Sequence, residues 1–354
     1  MAEPEKWGAK WALHTPNTLR VRARELGGAD YLIKGLLPAR SIGILVGDSG
    51  LGKSPLMYQA GLSVATGIPF LGRETRQGRV VMADFENGLS DMIELVDRLS
   101  RYLGLSGPPE DLFHLWSLND CQPRYGHAGN TLLDMLRDVK PTLAIIDSLS
   151  SYRPKAEELN SDATAMLQEF RILARDCGTA VQLVHHRRKQ PRKAEESAGA
   201  LEKANLRQWF QDSRGASALI NGVDVRLGAD EPDLSAREKD DLALVLRGFG
   251  RIRGEIGPLY LARDCGEDGE PEGYRPLAGP ELLFDEDQQK ALAALPMQFT
   301  FKDAKKAYGR SDQPTRNWLV RCVDLRLLRQ PRRGVYQQLS GGDAAGDGAH
   351  GETG

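Results

Sequence analysis

The residues Gly47-Asp48-Ser49-Gly50-Leu51-Gly52-Lys53-Ser54 carry the G-x-x-x-x-G-K-[ST] spacing that cradles a phosphate chain. Glycines let backbone N–H groups turn inward around phosphate oxygens, and a following helix adds its partial positive charge. Lys53 is placed to reach the β- and γ-phosphates of ATP, and Ser54 to offer its hydroxyl to Mg2+. Hydrolysis needs more: an acid that organises the cation, and a group that orients or deprotonates the attacking water. Asp147 closes the apolar run Leu143-Ala144-Ile145-Ile146 and supplies the first. In a parallel sheet the C-terminal end of a strand faces the ligand, which sets Asp147 beside the loop; capping of the next turn is the alternative. The second is sought in Val80-Val81-Met82-Ala83-Asp84-Phe85-Glu86-Asn87, an apolar strand running into a polar turn. Alternation gives Asp84 and Glu86 one direction if the strand persists. Glu86 is then placed to hold the water, with a merely turn-exposed acid as the alternative.

A third apolar run, Val181-Gln182-Leu183-Val184, leads into His185-His186 and then Arg187, Arg188, Lys189, Arg192 and Lys193. A polar side chain at this strand end is expected to touch the γ-phosphate and report its presence to the segment that follows. That segment, from Arg187 to about Ser213, is longer than most connections and basic, which suits a grip on DNA. Metal ligation by the two histidines lacks a Cys or acid partner at suitable spacing.

Elements must bring these strand ends together. Strands are expected at Ile42–Val46, Arg79–Asp84, Phe113–Trp116, Leu143–Asp147, Ala180–His185, Val223–Leu227, Leu242–Arg247 and Pro258–Ala262. Helical spacing lies between several of them, at Ser54–Thr66, Asp91–Leu103, Thr131–Val139 and Asp162–Asp176. Near-continuous apolar strands alternating with helices predict an α/β fold with a mainly parallel central sheet covered on both faces. The last strands follow one another without helices, which predicts an antiparallel edge. The core is expected over 31–263. Residues 1–30 read as a polar, irregular extension with Trp7 and Trp11 as packing anchors, and 264–284 as an acidic linker or surface hairpin. Residues 341–354 have nothing to bury and are expected to be disordered.

The four cysteines are far apart in sequence, which argues against a zinc knuckle or disulfide framework. No apolar run approaches the roughly 18 residues of a membrane span, and the first residues lack a signal pattern. A soluble, cytoplasmic protein that meets no membrane is expected. Charge is unevenly spread. Between Phe299 and Leu339 three lysines and seven arginines face three aspartates, a local +7 against a net charge of −2, which leaves −9 for the rest. A basic module on an acidic core suggests contact with nucleic acid, with a solvated basic surface as the alternative. Within 285–340, a helix over Asp285–Leu295, a second over Lys302–Tyr308, a turn and a third helix entered at Asp312 are followed by the hairpin tip Arg332-Arg333-Gly334. This order resembles a winged helix, which would present Thr315, Arg316, Asn317 and Arg321 to duplex DNA and put Arg332 and Arg333 near phosphates. A winged helix used for protein contacts is the alternative.

Taken in order, Gly47–Ser54, the Glu86-Asn87 turn, Leu143–Asp147, His185-His186 with its basic continuation, and Arg214-Gly215-Ala216-Ser217-Ala218-Leu219 resemble the RecA-like ATPase core, and within it the plasmid replication helicases of the RepA type. The resemblance covers about Tyr31 to Leu261 and excludes the C-terminal module. It implies Glu86 as catalytic base, His185 and His186 as the coupling between γ-phosphate and DNA, and Arg214 as an arginine finger acting across a subunit boundary. Arg226 is a rival for that last role, and a surface ion pair is the plain alternative for Arg214. The resemblance further implies a ring, usually a hexamer, with single-stranded DNA in its channel. An ATP-driven DNA motor is thus the expected function; an ATP-switched regulator or loader and a recombination ATPase are the competing readings.

Overall fold

The computed structural model describes residues 15–25, 30–117, 128–187, 201, 204–211, 217–232, 244–251, 254–266, 271–277, 284, 286–324 and 327–339. Trp7, Trp11, Arg188, Lys189, Arg192, Lys193, Arg214 and the tail 341–354 lie outside them. The chain divides into two compact units, the first holding most of the residues up to Arg275 and the second Pro276 onward.

The first unit opens with α1 (Pro16–Glu25), a helix where an irregular extension is expected, and a short antiparallel ribbon of β1 (Tyr31–Ile33) and β2 (Leu37–Pro38). Strands and helices then alternate: β3 (Ile42–Gly47), α2 (Lys53–Thr66), β4 (Val80–Asp84), α3 (Leu89–Tyr102), β5 (Phe113–Ser117), α4 (Ala128–Val139) and β6 (Leu143–Asp147). The short helices α5 (Leu149–Tyr152) and α6 (Lys155–Glu158) lead to α7 (Asn160–Cys177) and β7 (Ala180–His186). Two more short helices, α8 (Leu206–Gln211) and α9 (Ser217–Gly222), precede β8 (Val225–Asp230), β9 (Leu244–Gly250), β10 (Gly254–Cys265) and β11 (Pro271–Pro276).

Among the described residues nine strands make one sheet, in the order β11-β10-β9-β8-β3-β7-β6-β4-β5. From β8 to β5 every pairing is parallel, while β8–β9 and β9–β10 are antiparallel. The α/β class with a mainly parallel sheet is therefore as the apolar runs dictate. All residues of β3, β4 and β6 are buried, because helices cover both faces of these strands and leave no polar side for water. Helix α3 shows the complementary pattern, burying Met92, Val96 and Leu99 at helical spacing while its other face is wet. The region expected as a linker contains β11, so the core runs on to about Arg275. A six-residue strand with Pro at both ends gives little periodicity, and its place in the sheet is decided by β10 beside it.

The second unit contains α10 (Glu286–Ala294), β12 (Gln298–Thr300), α11 (Phe301–Tyr308), α12 (Asp312–Asp324), β13 (Leu328–Arg332) and β14 (Val335–Gln338). Its three strands pair antiparallel in the order β12-β14-β13. Phe284, Leu292, Leu295, Phe299, Trp318, Leu319, Cys322 and Leu328 form its own core. Helix α11 begins with a reciprocal cap between Thr300 and Asp303, which satisfies two otherwise orphaned N–H groups.

Candidate active site

Sheet order sets the site. The loop leaves β3, and the strands that deliver the expected acids and histidine, β4, β6 and β7, lie consecutively on one side of it. In register, Gly47 is opposite His186 and Asp84 opposite Asp147, so all of these residues reach the same edge. Gly50 (φ +83°) and Gly52 (φ +90°) adopt the left-handed backbone that glycine tolerates, and Gly52 caps α2. Helix α2 thus starts at Lys53 and aims its N-terminus into the loop.

Lys53 is buried, and its ammonium donates to the Asp48 carbonyl at 2.6 Å and approaches His186 Nδ1 at 3.4 Å. Burial pushes its pKa down, against the pull of Asp147, Glu86 and Asp48. The Ser54 hydroxyl donates to Asp147, whose carboxyl burial nonetheless raises to about 6. Asp147 Oδ2 is buried with no hydrogen-bond partner among the described residues. Such an orphaned oxygen beside a serine hydroxyl fits a Mg2+ that takes few protein ligands and keeps its waters and phosphates. Among the described residues no cluster of three or more acids, histidines or cysteines offers a fuller metal cage.

Glu86 accepts from the Ser148 hydroxyl, from Ser151 Oγ at 3.2 Å and from His186 Nε2 at 3.2 Å. The His186 hydrogen bond foremost, then those of Ser148 and Ser151, hold its carboxyl down at about 2. Glu86 as a carboxylate accepts, so His186 donates to it from Nε2, while Nδ1 faces the Lys53 ammonium. One imidazole therefore bridges the loop lysine and the expected base. Asp84 does not share that role. The strand ends there, and its carboxylate accepts from the Glu86 and Asn87 N–H groups, both at 2.9 Å, and from the buried Tyr58 hydroxyl at 2.8 Å. It builds the turn that carries Glu86.

Several expected residues stand elsewhere. His185 is fully buried with Nδ1 3.1 Å from Glu157, on the side of β7 away from the loop. Strand alternation sends neighbours to opposite faces, so of the two histidines His186 alone faces the site. Arg226 is buried in the core, donating to the Ile220 carbonyl at 2.6 Å and the Asn221 carbonyl at 3.2 Å and lying over Phe249. That arrangement removes it as a rival finger. Arg187 is not a free DNA contact either, since its guanidinium lies 4.6 Å from the Trp209 ring centroid and near Asp230. In the second unit Arg316, Asn317, Arg332 and Arg333 are exposed, whereas Thr315 is buried and bonded to the Ser311 carbonyl. Arg321 is partly buried over Phe284.

Two groups escaped the sequence reading. Ser148 and Ser151 follow the Asp147 strand end, and polar residues directly after such a strand are a usable signal. Tyr274, whose hydroxyl donates to the Gly52 carbonyl at 3.1 Å, carries no such signal, being 222 residues away.

Comparison with known proteins follows this geometry. Residues 18–192 match the AAA_25 family model, described as an AAA domain. No curated protein matches the chain. Among solved structures it is similar to the RadB recombinase, at 18% identity over 72% of this chain and 96% of that one, with a TM-score of 0.45. It is also similar to a KaiC-like protein of the hyperthermophilic archaeon Pyrococcus horikoshii OT3, at 14% identity over 70% and 93% of the two chains, with a TM-score of 0.40. The family match spans the loop, the Glu86 turn, Asp147 and His186.

Proposed function

We propose that the protein is an ATP-driven motor on single-stranded DNA, a ring-forming replicative helicase of a phage or mobile element. The observation that carries this reading is the His186 bridge, which touches Lys53 and Glu86 and directly precedes in sequence the basic run from Arg187 to Lys193. Loss or gain of the γ-phosphate changes what Lys53 pairs with, and His186 passes that change to Glu86 and to the segment behind it. Lys53 binds the phosphates, Glu86 orients and deprotonates the attacking water, and Ser54 and Asp147 hold Mg2+. Bound Mg2+ supplies positive charge that stabilises the phosphoryl oxygens during transfer. Arg214 from the next subunit of a hexamer completes the site. Arg188, Lys189, Arg192 and Lys193 meet the strand, and the second unit acts as a winged helix on duplex DNA through Arg316, Asn317, Arg321, Arg332 and Arg333.

A second reading has its own support. Three donors hold Glu86 in a state too weakly basic for rapid proton abstraction. That favours slow hydrolysis and ATP as an assembly switch. ATP hydrolysis with and without single-stranded DNA, run beside forked-duplex unwinding, separates the two. Strong stimulation and unwinding that Glu86→Gln abolishes establish the motor; slow hydrolysis indifferent to DNA, with no strand separation, establishes the switch.

A further inference from the structure

The far edge of the sheet returns to the phosphate loop. Tyr274 on β11 is buried, and the Gln59 side chain of α2 takes both its N–H, at 2.8 Å, and its carbonyl, at 2.7 Å. A phenol held this firmly puts its hydroxyl on the Gly52 carbonyl. Arg263 on β10 approaches the Leu51 carbonyl at 3.5 Å and lies over the Tyr274 ring. A Cβ on Gly52 would stand 2.0 Å from the Tyr274 oxygen, so the contact leaves room for glycine alone. The neighbouring residues of this edge are anchored too, through Tyr102 to Asp264 at 2.9 Å and Arg275 to Asp264 at 2.8 Å.

A trans peptide points its C=O and N–H in opposite directions. Fixing the Gly52 carbonyl outward on Tyr274 therefore aims the Lys53 N–H inward, and the Leu51 carbonyl on Arg263 does the same for the Gly52 N–H. The same carbonyl accepts the first helical bond of α2, from the Leu56 N–H at 3.2 Å, so Tyr274 adds a second donor to a peptide whose glycine backbone is otherwise permissive. We propose that the Tyr274 hydroxyl is a positioning residue for the phosphate loop, holding the Gly52-Lys53 peptide in the orientation that receives the nucleotide's phosphates. Its effect on catalysis rests on the ATPase reading; its effect on the loop does not. Burial raises the phenol pKa, so the hydroxyl stays a donor throughout the physiological range. By linkage, nucleotide on the loop steadies the β10–β11 edge as the edge steadies the loop.

Tyr274→Phe in the full-length protein removes the oxygen and keeps the ring. Gly52-Lys53 is the one Gly-Lys dipeptide in the sequence, so carbonyl-13C glycine with 15N-lysine labelling reports this peptide as a single NMR signal. In nucleotide-free protein the variant is expected to shift and broaden that signal; a signal like the wild type's overturns the proposal. With a fluorescent mant-ATP probe, Kd is expected to rise about three- to tenfold. In turnover KM should rise and kcat hold, because the loop amides grip ground state and transition state alike. Wild-type protein that fails to bind mant-ATP refutes the ATPase reading instead, and the NMR result still judges Tyr274. If Tyr274→Phe does not fold, hydrogen exchange in the wild type decides. Amide protection over 271–276 must then rise on adding ATP, and no rise overturns the coupling.

Discussion

Asp147→Asn is expected to make the nucleotide-free protein more stable while destroying its chemistry. The carboxyl is buried, one of its oxygens has no hydrogen-bond partner among the described residues, and its pKa rises from the usual 3.8 to about 6. That rise corresponds to roughly 3 kcal/mol of penalty on the ionised form at neutral pH. Asparagine keeps the shape and still accepts from Ser54, but its amide leaves a buried donor unpaired, at a cost of about 1–2 kcal/mol. The net gain is about 1–2 kcal/mol, or roughly 2–8 °C in Tm for a domain of this size. The sign depends on pH. Below about pH 4 the carboxyl is protonated in folded and unfolded chains alike, and no penalty exists. Between about 4 and 6 the unfolded chain releases a proton that the folded one retains, so wild-type stability falls relative to the variant as pH rises. Above 6 the difference is constant. Thermal melts in EDTA from pH 4.5 to 8 test this directly. Mg2+ with ATP should then stabilise the wild type and not the variant. A variant less stable than the wild type at pH 7.5, or a difference that ignores pH, refutes the argument that Asp147 is an incompletely compensated buried charge awaiting a cation.

Further tests address other parts of the molecule. Lys53→Ala should abolish ATP hydrolysis and leave the melting curve in place; turnover in that variant would remove the loop from the mechanism. Ser148→Ala should let the Glu86 pKa climb back from about 2, and DNA-independent hydrolysis is expected to rise about two- to tenfold because the base is stronger and freer. Gly52→Ala forces a Cβ against the Tyr274 hydroxyl in a left-handed backbone, so mant-ATP binding should be lost, with a destabilisation of about 1–3 kcal/mol seen by denaturant titration. Trp318→Ala empties the centre of the second core, at about 3–5 kcal/mol. Duplex binding should fall in that variant while ATP hydrolysis without DNA is retained; parallel loss of both would argue against two independent units.

Wherever function followed from spacing along one segment, it could be read before any fold. The loop Gly47–Ser54, the strand ending in Asp147 and the strand turning at Glu86 are each local patterns, and a parallel sheet has one ligand edge for all three. The histidine pair was legible only in part. Alternation says that one of His185 and His186 faces the site, but which one depends on what covers each face of β7, and Glu157 on α6 claims His185. Arg226 is a rival finger on sequence alone; the Asn221 and Ile220 carbonyls and Phe249 that bury it come from other elements.

The chain by itself thus determined the class of chemistry and the strands that carry it, because phosphate binding needs glycine, lysine and a hydroxyl at fixed separations, and separations are a property of sequence. Tertiary structure alone decided which groups meet. The two serines on Glu86 come together with it because β4 and β6 pair in register, and the tyrosine behind Gly52 arrives from the opposite edge of a nine-stranded sheet. Such contacts close over scores to hundreds of residues, where periodicity is silent and only packing chooses the partner.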